Sequence, residues 1–128
     1  MPVESFLHDL GQPWRRSGPE AWGLTLPDVG GRPLDVGLAI RGPSPRLLTL
    51  QAPVCGAGLL PAEDLLHRNR RLTLVRFTCT RAGEVWLQGE LPWPVTDPAV
   101  LDLALAGLVA AAQDARYAAS ASRMLRSR

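Results

Sequence analysis

A chain of 128 residues, 46% apolar and 20% charged, has the length and composition of one globular domain that folds without a metal or a disulfide. Its net charge is only +2, and all fourteen basic residues are arginines. This bias is typical of a GC-rich genome, so arginine clusters alone do not indicate a phosphate-binding surface. The first residues do not have the basic start and apolar run of a signal peptide, and the longest apolar run (103–112) is too short to span a bilayer. We therefore expect a cytoplasmic protein without a membrane partner.

The N-terminal residues predict a short amphipathic helix followed by a loop. Four apolar residues recur at the i, i+3, i+4, i+7 spacing of one helical face: Val3, Phe6, Leu7 and Leu10. Gly11 then suits the left-handed conformation that ends many helices. The next segment, Gln12 to Pro19, is rich in Pro, Arg, Ser and Gly, which predicts a loop.

Three strands are predicted next, because apolar residues alternate with small or polar residues in three segments. These segments are 22–26, 34–40 and 48–52. Turn residues separate them, first at 28–31 and then at 42–45. A three-stranded antiparallel meander is the economical interpretation.

A short helix and a β-hairpin follow. Pro61 suits the first turn of the helix, and Asn69 is predicted as its left-handed stop. From Leu72 the period changes to two, which predicts a strand to Cys79 and a second strand after a turn at Gly83. One face of this hairpin is predicted to join the core: Val75, Phe77, Cys79, Val85 and Leu87. The opposite face would carry Leu72, Leu74, Trp86 and Gln88.

The last element is a long helix. Asp97 is predicted as its N-cap, with Pro98 at the first helical position. Six residues then make an apolar stripe at helical spacing: Leu101, Ala104, Leu105, Leu108, Ala112 and Ala115. A helix to residue 127 would be longer than the domain is wide, so we expect 120–128 to be a frayed tail. The element order α-β-β-β-α-β-β-α predicts a single α+β domain over 1–128, with a largely antiparallel five-stranded sheet packed against helices.

The segments "LLHRNRR" and "LTLVRFTCTRAGEVWLQGELP", together with this element order, resemble the YbjN-type domain, which shares its fold with the type III secretion chaperones. The family pattern is carried by Asn69, Arg76, Phe77, Gly83, Val85 and Leu87. The resemblance implies a non-enzymatic, homodimeric, chaperone-like domain that binds a protein partner in extended form. It implies no cofactor. The partner is not identified by the sequence, and a DNA-binding or repair protein is one candidate.

No catalytic or metal site is predicted. The residue types that such a site would need are His8, His67, Cys55 and Cys79. The two histidines fall on separate short helices, and the cysteines are far apart without CxxC spacing, so neither a catalytic pair nor a ligand set is indicated. We expect these four residues to have structural roles.

Two binding surfaces are considered. The first is a partner or dimer surface on the outer face of the last hairpin: Trp86, Leu72, Leu74 and Gln88. A tryptophan on an otherwise polar sheet face is typical of an interface anchor when no helix covers it. The alternative is nucleic-acid association, direct or through a DNA-binding partner, with phosphate contacts from Arg68, Arg70, Arg71 and Arg76 and from the tail at 116–128. The low net charge and the shortage of exposed aromatic residues argue against direct binding.

Overall fold

A computed structural model describes residues 2–95 and 97–126, with only the backbone of Arg126. The element order is α1 (Val3–Leu10), β1 (Trp14–Gly18), β2 (Ala21–Leu26), β3 (Leu34–Arg41), β4 (Leu47–Cys55), α2 (Ala62–Asn69), β5 (Val75–Cys79), β6 (Val85–Pro92) and α3 (Pro98–Arg126). All neighbouring strands are antiparallel, in the sheet order β1-β2-β3-β4-β6-β5. The predicted α+β class is confirmed.

The sheet has an inner and an outer face. Along β3, buried Leu34, Val36 and Leu38 alternate with residues that are exposed or half-buried, as strand geometry requires. The inner face forms one core together with buried residues of all three helices. The outer face consists of exposed and half-buried side chains. The helices thus make one layer and the sheet the other.

The sheet has six strands instead of the predicted five, because the segment predicted as a loop contains β1. Trp14 pairs with Leu24 and packs against the core, while Arg15 pairs with Gly23. The polar composition misled the prediction, since β1 lies at an edge of the sheet, where exposed polar residues are tolerated. β1 is held by its antiparallel pairing with β2, which the local composition of the segment does not predict.

The starts of α2 and α3 agree with the prediction, because α2 begins at Ala62, directly after Pro61, and α3 begins at Pro98, directly after Asp97. Gly11 ends α1 with φ = 72°, and the Asp97 side chain accepts a hydrogen bond from the Ala99 N–H at 2.9 Å. The prediction for Asn69 is wrong. Arg70, which follows it, is right-handed at φ = −65°, and Asn69 belongs to α2.

The predicted start of the second hairpin is also wrong. β5 begins at Val75 and not at Leu72, because Leu74 has a positive φ of 70° that interrupts extended structure. The carbonyl of Leu74 lies over Gly89 of β6, where a Cβ would stand 2.6 Å from it. Gly89 therefore makes room for this turn. Cys79, predicted on the core face, is exposed at the end of β5.

The helix α3 has 29 residues and two different apolar faces. All six residues of the predicted core stripe are buried. By length and composition alone this helix could cross a membrane, since it contains an 18-residue window of mean hydropathy 1.3, of which 33% is buried. A helix that supplies the core and still reaches this hydropathy carries apolar residues on its outward face as well. The fraying of 120–128 stays a prediction, and residues 127 and 128 lie outside the described residues.

Candidate functional site

One candidate surface is a hollow on the outer face of the sheet. Strand register aligns one residue from each strand in a row across this face: Arg15, Gly23, Gly37, Gln51, Gln88 and Arg76. The two glycines in the row have no side chains, and the Arg15 guanidinium lies across Gly23, where a Cβ would be 2.8 Å from its central carbon. The result is a depression of about 280 Å³ with Trp86 and Pro53 in its wall.

Trp86 is half-buried in this hollow, where it pairs with Thr78 on one side and Pro53 on the other. Its indole Nε1 is buried and has no hydrogen-bond acceptor within the described residues. The contrast is Trp22, whose indole N–H donates to the Glu4 carboxylate at 2.9 Å. A buried donor without an acceptor destabilises the native state by about 1–3 kcal/mol. The indole N–H of Trp86 is therefore an unsatisfied donor within the described residues, in the wall of the hollow.

A second candidate surface is an apolar groove between α2 and α3, with a volume of about 500 Å³. Its apolar lining consists of Leu72, Phe77, Leu103, Gly107, Ala110 and Ala111. Arg68, Arg71 and Asp114 bring charges of both signs to the same groove. Leu103 is 61% exposed, a large fraction for a leucine in a helix. We call this surface the α2–α3 groove.

A third depression lies on the other flank of α3. It has a volume of about 400 Å³ and is lined mainly by apolar residues, among them Leu10, Leu26, Leu105 and Val109. Ala110 lines both this depression and the α2–α3 groove. Small side chains around Ala110 separate the two apolar depressions, and no other element of the described chain covers the outward face of α3 there.

The structure separates the residues of the predicted hairpin surface. Trp86 and Gln88 share the outer face, whereas Leu72 lines the α2–α3 groove on the helical side. Leu74 is 37% exposed in the turn before β5. The prediction of one shared face is wrong because it extended the strand alternation through residues 72–74. A signal for the groove was present in the sequence, as Leu103, Gly107 and Ala110 recur at i, i+4, i+7 on one helical face.

The four arginines of the predicted nucleic-acid surface do not form one free basic patch. Arg76 makes two hydrogen bonds with Glu90, at 2.8 and 3.0 Å, on the outer face. These bonds lower the pKa of the Glu90 carboxyl and raise that of Arg76. Arg68 pairs with Asp64 at 2.7 Å next to the α2–α3 groove. Arg70 and Arg71 are exposed at the end of α2.

The two edges of the sheet differ. At the β5 edge, the Asn69 side chain accepts a hydrogen bond from the Phe77 N–H at 2.7 Å and donates one to the Phe77 carbonyl at 3.2 Å. This amide occupies the backbone groups that an added strand would need. At the opposite edge, the central residues of β1 are exposed. Strand addition is therefore hindered at β5 and sterically open at β1.

The residues considered for catalysis and metal binding are separated as well. His8, His67 and Cys79 are exposed, whereas Cys55 is buried. Burial raises the pKa of the Cys55 thiol, although nearby arginines oppose this effect. The described residues contain no group of three His, Cys, Asp or Glu side chains that would hold a metal ion.

Three helices on one face of an antiparallel sheet in this order define the fold of the type III secretion chaperones. A chain of the ExsC–ExsE complex matches 88% of this chain and 86% of its own length, with a TM-score of 0.62 and 20% identity. A chain of the heterodimeric ExoU–SpcU complex from the type III secretion system of Pseudomonas aeruginosa matches 92% of this chain and 97% of its own, with a TM-score of 0.57 and 18% identity. No protein-family model matches the sequence, and a comparison with curated proteins gives no significant match. The YbjN-type assignment stays a prediction.

Proposed function

We propose that this protein is a non-enzymatic, chaperone-like domain of the cytoplasm that forms a homodimer and holds an extended segment of a partner protein. The observation that carries the proposal is the apolar surface that remains uncovered along α3. The fold supports it, because both similar structures are complexes of two different proteins. Apolar depressions of this size on a small domain are typical of interaction sites.

The α2–α3 groove is the surface that we assign to the homodimer. A twofold interface joins the same patch on both subunits, so the patch must complement itself. The groove meets this condition, because exposed Leu103 stands beside a depression, and Arg71 and Asp114 provide opposite charges. Burying a leucine that is mostly exposed contributes about 1–2 kcal/mol per subunit, and the twofold axis doubles this contribution.

Light scattering after size exclusion tests the dimer. We expect the wild-type protein to be a dimer at micromolar concentration, and Leu103→Glu to dissociate at least about 100-fold more easily, since two carboxylates would then enter an apolar contact. Leu125→Glu is the matched control, because Leu125 is 70% exposed and lies about 33 Å further along the same helix. A wild-type monomer, or equal dissociation of both variants, would contradict the assignment.

The hollow at Trp86 is the surface that we assign to the partner protein. An extended segment presents backbone donors and acceptors at regular intervals, and its side chains would contact the exposed part of the Trp86 ring. Gly37 leaves part of the floor free of a side chain, so a backbone can approach the sheet there, whereas the Arg15 guanidinium covers Gly23. Gln88 and Gln51, paired beside Trp86, offer further donors and acceptors.

Affinity purification followed by mass spectrometry tests the partner assignment. A protein retained by the wild type should be lost with Trp86→Ala and retained with Trp93→Ala, a matched truncation of another half-buried tryptophan outside the hollow. The mass spectra also decide whether the partner is a DNA-binding or repair protein. Retention by both variants, with both shown to be folded by circular dichroism, would rule out the hollow as the partner site.

A further inference from the structure

The exposed side of α3 carries a row of residues in which large and small side chains are both present at regular spacing. The members recur at intervals of four and three residues, and at about 100° per residue they lie within an arc of about 80°. Two of them are large and mostly exposed, Leu103 at 61% and Tyr117 at 57%. The full row is Leu103, Gly107, Ala110, Asp114, Tyr117 and Ala121. We call it the α3 seam.

Within the described chain, nothing requires a glycine at position 107 of this seam. A Cβ on Gly107 would lie 4.0 Å from the Thr73 carbonyl oxygen and 4.0 Å from Cγ2 of Val75, which are ordinary contact distances. Glycine in the interior of a helix destabilises that helix relative to alanine. The missing side chain leaves a notch in the α2–α3 groove. The notch therefore suits the close approach of another molecule.

An antiparallel twofold pairing of two α3 helices brings the large residues of the seam opposite small ones. With the axis midway between Ala110 and Asp114, Tyr117 faces the Gly107 notch of the second copy, and Leu103 faces its Ala121. Both contacts occur twice, because a twofold axis makes them reciprocal. In a parallel pair each residue would meet its own equivalent. Gly107 would then face Gly107 and leave a gap that close packing does not tolerate.

The same register provides partners for the polar groups of the seam. Asp114 would lie near the axis, where exposed Arg71 in the groove of the second copy provides a cation for it. The Thr73 carbonyl beside the notch would accept a hydrogen bond from the phenolic hydroxyl of Tyr117. A single polar residue in an apolar helix seam disfavours shifted registers, in which it would lose these surroundings.

We propose that a second copy of this chain inserts Tyr117 into the notch at Gly107, with the two α3 seams antiparallel about a twofold axis between Ala110 and Asp114. This inference rests on the homodimer assigned above to the α2–α3 groove, and it specifies what fills that groove. The contact from Leu103 to the level of its own Ala121 spans about 27 Å of each helix. Each subunit thus supplies both a notch and the side chain that fills the notch of its partner.

Exchanging the large and the small residue tests the pairing of positions 107 and 117. Gly107→Leu fills the notch and Tyr117→Ala removes the side chain that enters it, so each should raise the dimer Kd at least tenfold in a light-scattering dilution series. The double variant should have a Kd at least threefold below that of either single variant, because leucine then faces alanine. His67→Leu combined with Tyr117→Ala is the matched control, since exposed His67 is outside the groove lining and should restore nothing. Additive losses in the double variant would overturn the proposal.

A stability measurement separates the notch from the fold of the subunit. In the Leu103→Glu background, which we expect to be monomeric, Gly107→Ala should raise the Tm by about 2–5 °C, because the added Cβ fits and alanine is the better helix former. In the otherwise wild-type protein, the same substitution should weaken the dimer at least threefold. A lower Tm in the monomeric background would show that the subunit itself requires the glycine, which would overturn the proposal.

Oxidative crosslinking in a Cys79→Ser background identifies the direction of the two helices. Leu103→Cys and Ala121→Cys should each stay uncrosslinked alone and should form a disulfide-linked dimer when mixed, because residue 103 of one copy faces residue 121 of the other. A crosslink in Leu103→Cys alone, or none in a mixture that light scattering shows to be dimeric, would overturn the pairing and leave the homodimer standing. A wild-type protein that is monomeric in the same measurement would contradict the homodimer itself, and the pairing with it.

Discussion

The side chain of Asn69 holds the edge strand β5 through two hydrogen bonds to a single residue. It accepts from the N–H of Phe77 at 2.7 Å and donates to the carbonyl of Phe77 at 3.2 Å. Because β5 is at the edge of the sheet, the amide takes the place of a neighbouring strand. We predict that Asn69→Ala destabilises the protein and that Asn69→Asp, which keeps the acceptor but places a carboxylate oxygen against the Phe77 carbonyl, destabilises it at least as much.

The magnitude follows from two opposing contributions. Two hydrogen bonds of about 0.5–1.5 kcal/mol each are lost in Asn69→Ala, which gives about 1–3 kcal/mol. Alanine is a better helix former than asparagine by about 0.5 kcal/mol, so the net loss is about 0.5–2.5 kcal/mol. Asn69→Asp loses one bond without this compensation, about 0.5–1.5 kcal/mol, and the repulsion between its carboxylate and the Phe77 carbonyl oxygen adds to that loss.

Urea unfolding followed by circular dichroism measures the effect. His67→Ala is the matched control, because His67 is an exposed residue of the same helix and reports the gain in helix propensity alone. The difference between the two alanine variants isolates the hydrogen bonds. If Asn69→Ala is as stable as His67→Ala, the amide does not hold β5 and the reasoning fails. Light scattering of folded Asn69→Ala should also detect association, since the variant has an unprotected edge.

Three further changes test local features of the structure. Leu74→Gly should raise the free energy of unfolding by about 0.5–1 kcal/mol, because glycine accepts a positive φ without strain. Urea unfolding measures this change, and a lower free energy of unfolding in the variant would indicate that Leu74 is extended. The bond to Arg76 lowers the pKa of Glu90, so its stabilisation is present above the ordinary carboxyl pKa and disappears as the pH falls through the lower folded-state value; Glu90→Gln should therefore cost under about 1 kcal/mol at neutral pH and nothing in strong acid, as thermal unfolding would measure. Exposed Cys79 should react with a thiol reagent well before buried Cys55, and equal labelling rates would contradict the burial of Cys55. Burial raises the pKa of the Cys55 thiol, so its contribution to stability is present below the ordinary thiol pKa and is lost as the pH rises through the folded-state pKa.

Most of the fold could be predicted, because its elements carry local signals. Gly11 and Asp97 mark helix ends that depend only on backbone conformation and a nearby side chain. Strand alternation identified five strands because each has an apolar inner face. β1 has no such signal in its centre, where Arg15, Arg16 and Ser17 are all exposed. Its formation depends on pairing with β2, a contact between strands that the local composition does not encode.

The candidate sites were less predictable, because a face is defined by where a strand begins. Leu72 and Leu74 would have shared a face with Trp86 only in an uninterrupted strand. The positive φ of Leu74 depends on space provided by Gly89, fifteen residues away, and leucine itself gives no sign of a left-handed conformation. Trp86 is correctly placed on the outer face since Val85 and Leu87 on either side are buried. Its role as a partner anchor stays a prediction.

Arg116 shows why counting charges in a sequence misjudges a surface. As part of the predicted arginine-rich tail, Arg116 suggested contact with nucleic-acid phosphates. It is buried instead, and its guanidinium donates to backbone carbonyls of residues 29–33 and 53–54, far earlier in the chain. Arg68 and Arg76 are neutralised by acidic neighbours of the same chain. The net charge of +2 is therefore an average over arginines in different surroundings: Arg68 and Arg76 are paired, Arg116 is buried, and Arg70 and Arg71 are exposed. An extended polyanion requires a continuous row of unpaired charges, and the pairing of Arg68 with Asp64 and of Arg76 with Glu90 interrupts the predicted row.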